Sequence, residues 1–111
     1  MIKIAAVIGS PDLQKETLAV YSNDLRQAFQ KVSRLGYQGV ELMTKDPARL
    51  DGKSMKRWLE EAGVALVGLC TGHVYGEDGL GLVGPDRAVC EKAMKRLKEF
   101  VDFAAGNFGA G

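Results

Sequence analysis

The chain has 111 residues, 46% of them apolar and 26% charged, with a net charge near +1. That length supports one modest core, so a single domain over residues 1–111 is expected. Lysines and arginines alternate with acidic residues instead of clustering, so the composition gives no reason to expect a nucleic-acid partner.

No run approaches the roughly 18 apolar residues of a membrane span. The apolar start, Met1–Gly9, lacks the charged leader and cleavage pattern of a signal peptide. A cytoplasmic protein without a membrane partner is therefore expected. Cys70 and Cys90 read as reduced, buried thiols, since nothing else suggests secretion.

Ile2 to Ile8 is a nearly continuous apolar run closed by Gly9, Ser10 and Pro11, as suits a strand buried on both faces. A polar loop covers roughly residues 9–22. A helix follows, with Ser22 or Asn23 as cap and Asp24 favourable in the first turn. Its apolar face carries Leu25, Ala28, Phe29, Val32 and Leu35, and Gly36 stops it. Gly39–Met43 is a second strand. Thr44 to Asp51 forms a loop containing Pro47. A short helix then starts at Asp51 or Ser54, shows Met55, Trp58, Leu59 and Ala62 on one face, and ends at Gly63. Val64–Cys70 is the third strand.

Thr71 to Gly84 reads as a glycine-rich loop leading to Pro85, placed in the first turn of the last helix. That helix carries a stripe of Val89, Cys90, Ala93, Met94, Leu97, Phe100, Val101 and Ala104.

Strand and helix alternate three times, the pattern of right-handed βαβ crossovers in a parallel sheet. An internal repeat agrees: Leu35-Gly36-Tyr37-Gln38-Gly39-Val40-Glu41-Leu42 aligns with Ala62-Gly63-Val64-Ala65-Leu66-Val67-Gly68-Leu69. Asn107-Phe108-Gly109 begins the pattern again. With no fourth strand to pair with, the first and third strands keep open edges, and apolar open edges invite self-association.

Three segments carry a resemblance: the opening strand Ile2–Gly9, the element Leu35-Gly36-Tyr37-Gln38-Gly39-Val40-Glu41-Leu42, and Val67-Gly68-Leu69-Cys70-Thr71-Gly72-His73. Together they resemble the amino-terminal part of the xylose-isomerase-like (β/α)8 barrels, a superfamily of sugar isomerases, epimerases and endonuclease IV-type repair enzymes. The resemblance implies an α/β fold of three parallel βα units, a partial TIM barrel lacking its carboxy-terminal units. It implies a small sugar or sugar phosphate as partner and, in an intact relative, a divalent metal such as Mn, Mg, Zn or Co. In the family the metal ligands come mostly from later strands. No catalytic or metal-binding residue is therefore assigned here, and this chain alone is expected to hold no cofactor and to be catalytically incomplete.

Three residues stand out as candidates for the substrate side. Glu41 interrupts an apolar strand, and alternation points it away from Val40 and Leu42, into the mouth of a barrel; the alternative is a structural partner for a nearby Lys or Arg. His73 lies just past the third strand, where barrel active sites gather, or is an exposed loop histidine. Tyr75, close by, could stack on a sugar ring or pack over the mouth. Cys70 and His73 form a Cys-x-x-His pair, which is too few ligands for zinc. Gly79-Leu80-Gly81-Leu82-Val83-Gly84 matches G-x-G-x-x-G in form. Residues 71–78 separate it from a strand, and Glu77 and Asp78 bring negative charge, so a dinucleotide site is not expected.

Two other readings compete with the sugar enzyme. A truncated or engineered barrel fragment would act only as a folding or assembly unit. A repair-nuclease relative would need more zinc-binding histidines and a basic groove.

Overall fold

The computed structural model describes residues 2–13 and 24–108. Three parallel strands, β1 (Ala5–Gly9), β2 (Gly39–Met43) and β3 (Ala65–Cys70), lie in the order β1-β2-β3. Helix α1 (Leu25–Arg34) joins β1 to β2, and α2 (Gly52–Ala62) joins β2 to β3. After β3 come a short helix, α3 (Gly72–Gly76), and a long one, α4 (Arg87–Phe108). The protein is thus α/β with an open three-stranded parallel sheet. Among the described residues no helix is long and apolar enough to cross a membrane.

Strand alternation divides the sheet into two unlike faces. Ala6 and Ile8 of β1 and Val40 and Leu42 of β2 point one way, into a core built with Phe29 and Val32 of α1 and Met55 and Leu59 of α2. Phe29, Ile8, Val40 and Leu42 are wholly buried. Each such side chain contributes about 1.5–3 kcal/mol on leaving water, so this layer is the main source of stability.

The opposite face carries Val7, Glu41 and Gly68 in one cross-strand row. Val67 is an extra residue in β3, a bulge beside Val40 and Glu41, and it lies across Gly39. A Cβ at Gly39 would sit 2.7 Å from Val67 Cγ1 and 3.2 Å from the Ala65 carbonyl, so the glycine admits the close approach of β3.

The two glycine stops share one geometry, which accounts for the internal repeat. Gly36 and Gly63 both take left-handed backbone. Tyr37 N–H reaches back to the Val32 carbonyl at 3.1 Å, and Val64 N–H to the Leu59 carbonyl at 3.2 Å. These are the long closing bonds of a Schellman motif, which favours glycine at the turn. Ser33 Oγ donates to the Ala62 carbonyl at 2.6 Å, pinning the end of α1 to the end of α2.

Several boundaries differ from the sequence expectation. β1 begins at Ala5, because Ile2–Ile4 extends past the start of β2; there Ile4 N–H bonds the Gln38 side chain. The expected caps Ser22 and Asn23 lie outside the described residues. Asp24 is itself the cap of α1, accepting from Gln27 N–H at 3.1 Å. Leu35 is exposed, since the chain turns away there. Pro85 precedes α4 instead of entering it: Asp86 caps the helix, accepting from Ala88 N–H at 2.9 Å.

The expected loop after β3 contains α3. Glycines disfavour a helix here, but Val74 is buried and Glu77 N–H closes the turn on the His73 carbonyl at 2.9 Å. Gly79 and Leu80 then bond back to Tyr75 and Val74, so the first glycine of the G-x-G-x-x-G match closes the turn that follows α3. Cys70 and Cys90 are free thiols, half-buried where full burial was expected.

Two expectations follow. Gly39→Val overpacks the contact with Val67 and lowers stability in urea by about 1–3 kcal/mol, and Val67→Ala in the same chain recovers part of the loss. Asp51 caps α2 and accepts from both Ser54 N–H and Ser54 Oγ, bonds that hold its carboxyl below its ordinary value. Its stabilisation is therefore full above the ordinary carboxylate range and fades as pH falls through the depressed value. The Tm gap between the wild type and Asp51→Ala should be widest at neutral pH and narrow in acid.

Candidate functional site

Because the strands are parallel, their carboxyl ends meet on one rim. Ser10 follows β1, Thr44 follows β2 and Thr71 follows β3. The ladder continues into this rim, with Ser10 N–H on the Met43 carbonyl at 2.8 Å and Thr44 N–H on the Cys70 carbonyl at 3.4 Å.

Ser10 and Thr44 are fully buried. Both hydroxyls turn to one carboxylate: Ser10 Oγ donates to Asp12 Oδ1, and Thr44 Oγ1 lies 3.4 Å from both Asp12 oxygens. Asp12 is thereby held between the ends of two neighbouring strands.

A second polar group lies beyond β2 and β3. Lys45 Nζ stands 3.3 Å from Glu77 Oε1 and 3.7 Å from Asp78 Oδ1. His73 Nδ1 stands 3.3 Å from Glu77 Oε2. Arg96 of α4 donates to the Lys45 carbonyl at 2.6 Å and to Asp78 Oδ2 at 2.9 Å. The Glu77 side chain is only 3% exposed, so its charge is offset inside this network. The network ties the end of β2, the turn after α3 and the middle of α4 into one rigid corner.

The three candidate residues occupy different surroundings. Glu41 is half-buried on the sheet face that no helix of the described residues covers, where its Cγ lies 3.9 Å from the point a Cβ on Gly68 would occupy. It makes no hydrogen bond or ion pair with a described residue. His73 and Tyr75 share α3 but stand about 200° apart around it. His73 turns inward to Glu77, and Tyr75 is 71% exposed. The Tyr75 ring lies beside Gly81, at the edge of a shallow hollow with Leu80 and Leu82. No hydrogen bond or ion pair joins Glu41 to His73 or Tyr75.

Sequence reasoning passed over Ser10, Asp12, Thr44 and Lys45. The available signal was their position: each lies within three residues after a strand whose end had been placed. The Glu77 pairing was readable as an i, i+4 spacing from His73, but only once a helix is expected there.

No family model matches the chain, and no curated protein matches it. Among the described residues no three His, Cys, Asp or Glu side chains are grouped so as to hold a metal ion. The divalent metal that the resemblance implies does not fit these residues: His73 is engaged by Glu77, and Glu41 stands apart from it on the sheet face.

Lys45→Met strips Glu77 and Asp78 of a common cation in a largely buried setting. Loss of one partner from such a pair costs about 3 kcal/mol. Urea unfolding should register that loss, whereas Arg87→Met, which breaks the solvent-exposed Arg87–Glu91 pair, should change stability by less than about 1 kcal/mol.

Proposed function

We propose that the chain forms the first three βα units of a xylose-isomerase-like barrel and supplies the substrate side of a sugar or sugar-phosphate pocket. In this reading it belongs to a metal-dependent isomerase or epimerase and is catalytically incomplete by itself. The observation that carries the proposal is the concentration of polar groups at the carboxyl ends of three parallel strands, the end where barrel enzymes build their pockets. Ser10, Asp12 and Thr44 form one hydroxyl–carboxylate group there. Glu41 projects from the adjoining face, which no helix of the described residues covers, with no bond to a described residue, which leaves its carboxylate available to sugar hydroxyls. Tyr75, exposed at the rim, offers a ring face of the kind that stacks on a pyranose. His73 acts by fixing Glu77 and the α3 turn beneath Tyr75. Fold alone does not determine activity, so the assignment to sugars rests on the resemblance together with this rim.

Titration of the chain with aldoses, ketoses and their phosphates, followed by amide NMR, tests the reading. Binding is expected with Kd of about 1 mM or weaker, with shifts at Glu41, Thr44 and Tyr75. Glu41→Ala should weaken it about tenfold, or about 1.4 kcal/mol. No interconversion of the sugars is expected with Mn, Mg, Zn or Co added. Turnover by this chain alone would overturn the claim of incompleteness, and shifts that avoid the strand-end rim would overturn the pocket.

A further inference from the structure

His73 is the one histidine of the chain, and among the described residues only one of its two ring nitrogens has a partner. Nδ1 stands 3.3 Å from Glu77 Oε2. An ionised carboxylate accepts and cannot donate, so a contact of that length is attractive only when Nδ1 carries the hydrogen. With the hydrogen on Nε2, the Nδ1 lone pair would face the carboxylate instead. The bond that one ring nitrogen makes decides what the other is free to do. In a neutral imidazole one nitrogen donates and the other accepts, so Nε2 is left as the acceptor.

Glu77 is itself held in place. Its side chain is 3% exposed, and its other carboxylate oxygen faces Lys45 Nζ at 3.3 Å. Lys45 in turn faces Asp78, which Arg96 of α4 also binds. Glu77 cannot turn away from His73 without leaving Lys45. On the other side, Nε2 makes no hydrogen bond or ion pair with a described residue. Among the described residues no buried side-chain nitrogen or oxygen lacks a partner. Nε2 therefore belongs to the 14% of the His73 side chain that is exposed. Helix α3 begins at Gly72, just past the end of β3 at Cys70, and Lys45 follows β2, which ends at Met43. His73 thus sits at the rim where β2 and β3 finish.

We infer that His73 is a binding residue of this rim: Glu77 fixes the imidazole with its hydrogen on Nδ1, and Nε2 accepts a hydrogen bond from an uncharged donor, a sugar hydroxyl. The choice of a hydroxyl rests on the sugar reading above, whereas the tautomer does not. A metal ion is a poorer occupant. One imidazole nitrogen is a single ligand of the three or more that a protein site supplies, and the described residues group no such set. A phosphate dianion is poorer still, since it brings only acceptors to an acceptor. The ring then serves twice, holding the α3 turn through Nδ1 and reading a ligand through Nε2.

Nitrogen NMR on the full chain labelled with 15N-histidine tests this, because one histidine gives one imidazole spectrum. At about pH 8, where an imidazole is ordinarily neutral, the two-bond nitrogen–proton pattern should place the hydrogen on Nδ1. Glu77→Gln can donate an amide hydrogen to Nδ1 and should move the ring hydrogen to Nε2. If that variant fails to fold, the wild-type spectrum decides the tautomer by itself. An unphosphorylated aldose should shift the Nε2 resonance and leave Nδ1 in place. His73→Asn keeps a donor where Nδ1 stands and has nothing where Nε2 stands. It should retain the urea midpoint of the wild type and weaken aldose binding about tenfold, the loss of one hydrogen bond. His73→Gln, which returns an acceptor to the Nε2 position, should bind better than His73→Asn. A ring with its hydrogen on Nε2, or one protonated on both nitrogens, would overturn the inference and leave the sugar reading standing. So would a His73→Asn chain that binds aldose as tightly as the wild type while Glu41 and Thr44 still shift. If no aldose shifts any residue of the rim, the sugar reading falls, and the assignment of a hydroxyl to Nε2 falls with it.

Discussion

A parallel sheet has to be covered on both faces, and among the described residues the helices cover one. Everything distinctive in this chain follows from that imbalance. The covered face holds the fully buried residues Phe29, Ile8, Val40 and Leu42 and supplies the stability. The other face carries Val7, Glu41 and Val67 beside two glycines. Gly39 lets Val67 lie flat across β2, and Gly68 leaves space beside Glu41. Parallel order also sends all three strands to finish on the same rim. In an antiparallel sheet Ser10 and Thr44 would lie at opposite ends, and Asp12 could not accept from both.

Helix α4 is attached by a different kind of force. Of its 22 residues only Ala93 and Phe100 are buried. Burying one phenylalanine contributes about 1.5–3 kcal/mol, little for ordering a helix of that length. Phe103 and Phe108 add partly buried packing against the core, and a polar attachment joins it where Arg96 grips the Lys45 carbonyl and Asp78. This anchor fixes the position of α4 without closing it against β3, and an apolar groove of about 370 Å3 persists between them. The same corner holds Glu77 and His73, so the packing of the last helix and the shape of the rim are mechanically linked.

What the sequence disclosed was whatever depends on local chemistry. Gly36 and Gly63 mark helix ends because a left-handed turn is needed there, and the strands that follow are placed with them. The inward and outward alternation of β2 put Glu41 on its correct face. What stayed hidden depends on distant contacts. The bulge at Val67, which sets Gly68 instead of Val67 opposite Glu41, is a register shift between two strands. Helix α3 runs against its own glycine content and forms because Val74 finds a buried seat. Once that segment is read as a loop, the His73–Glu77 pair cannot be seen, and His73 looks free when it is engaged.

Glu41 sets the terms on which the second face of the sheet can be covered. Its carboxylate is tolerable because it is only half-buried, on the side that no helix of the described residues covers. Any cover laid over that face deepens its burial, and an uncompensated carboxylate in an apolar enclosure is expensive. Water or hydroxyl groups that donate to it offset that cost. The one charge in this apolar strand therefore disfavours a purely apolar cover over the centre of the sheet and favours one that donates hydrogen bonds to its carboxylate.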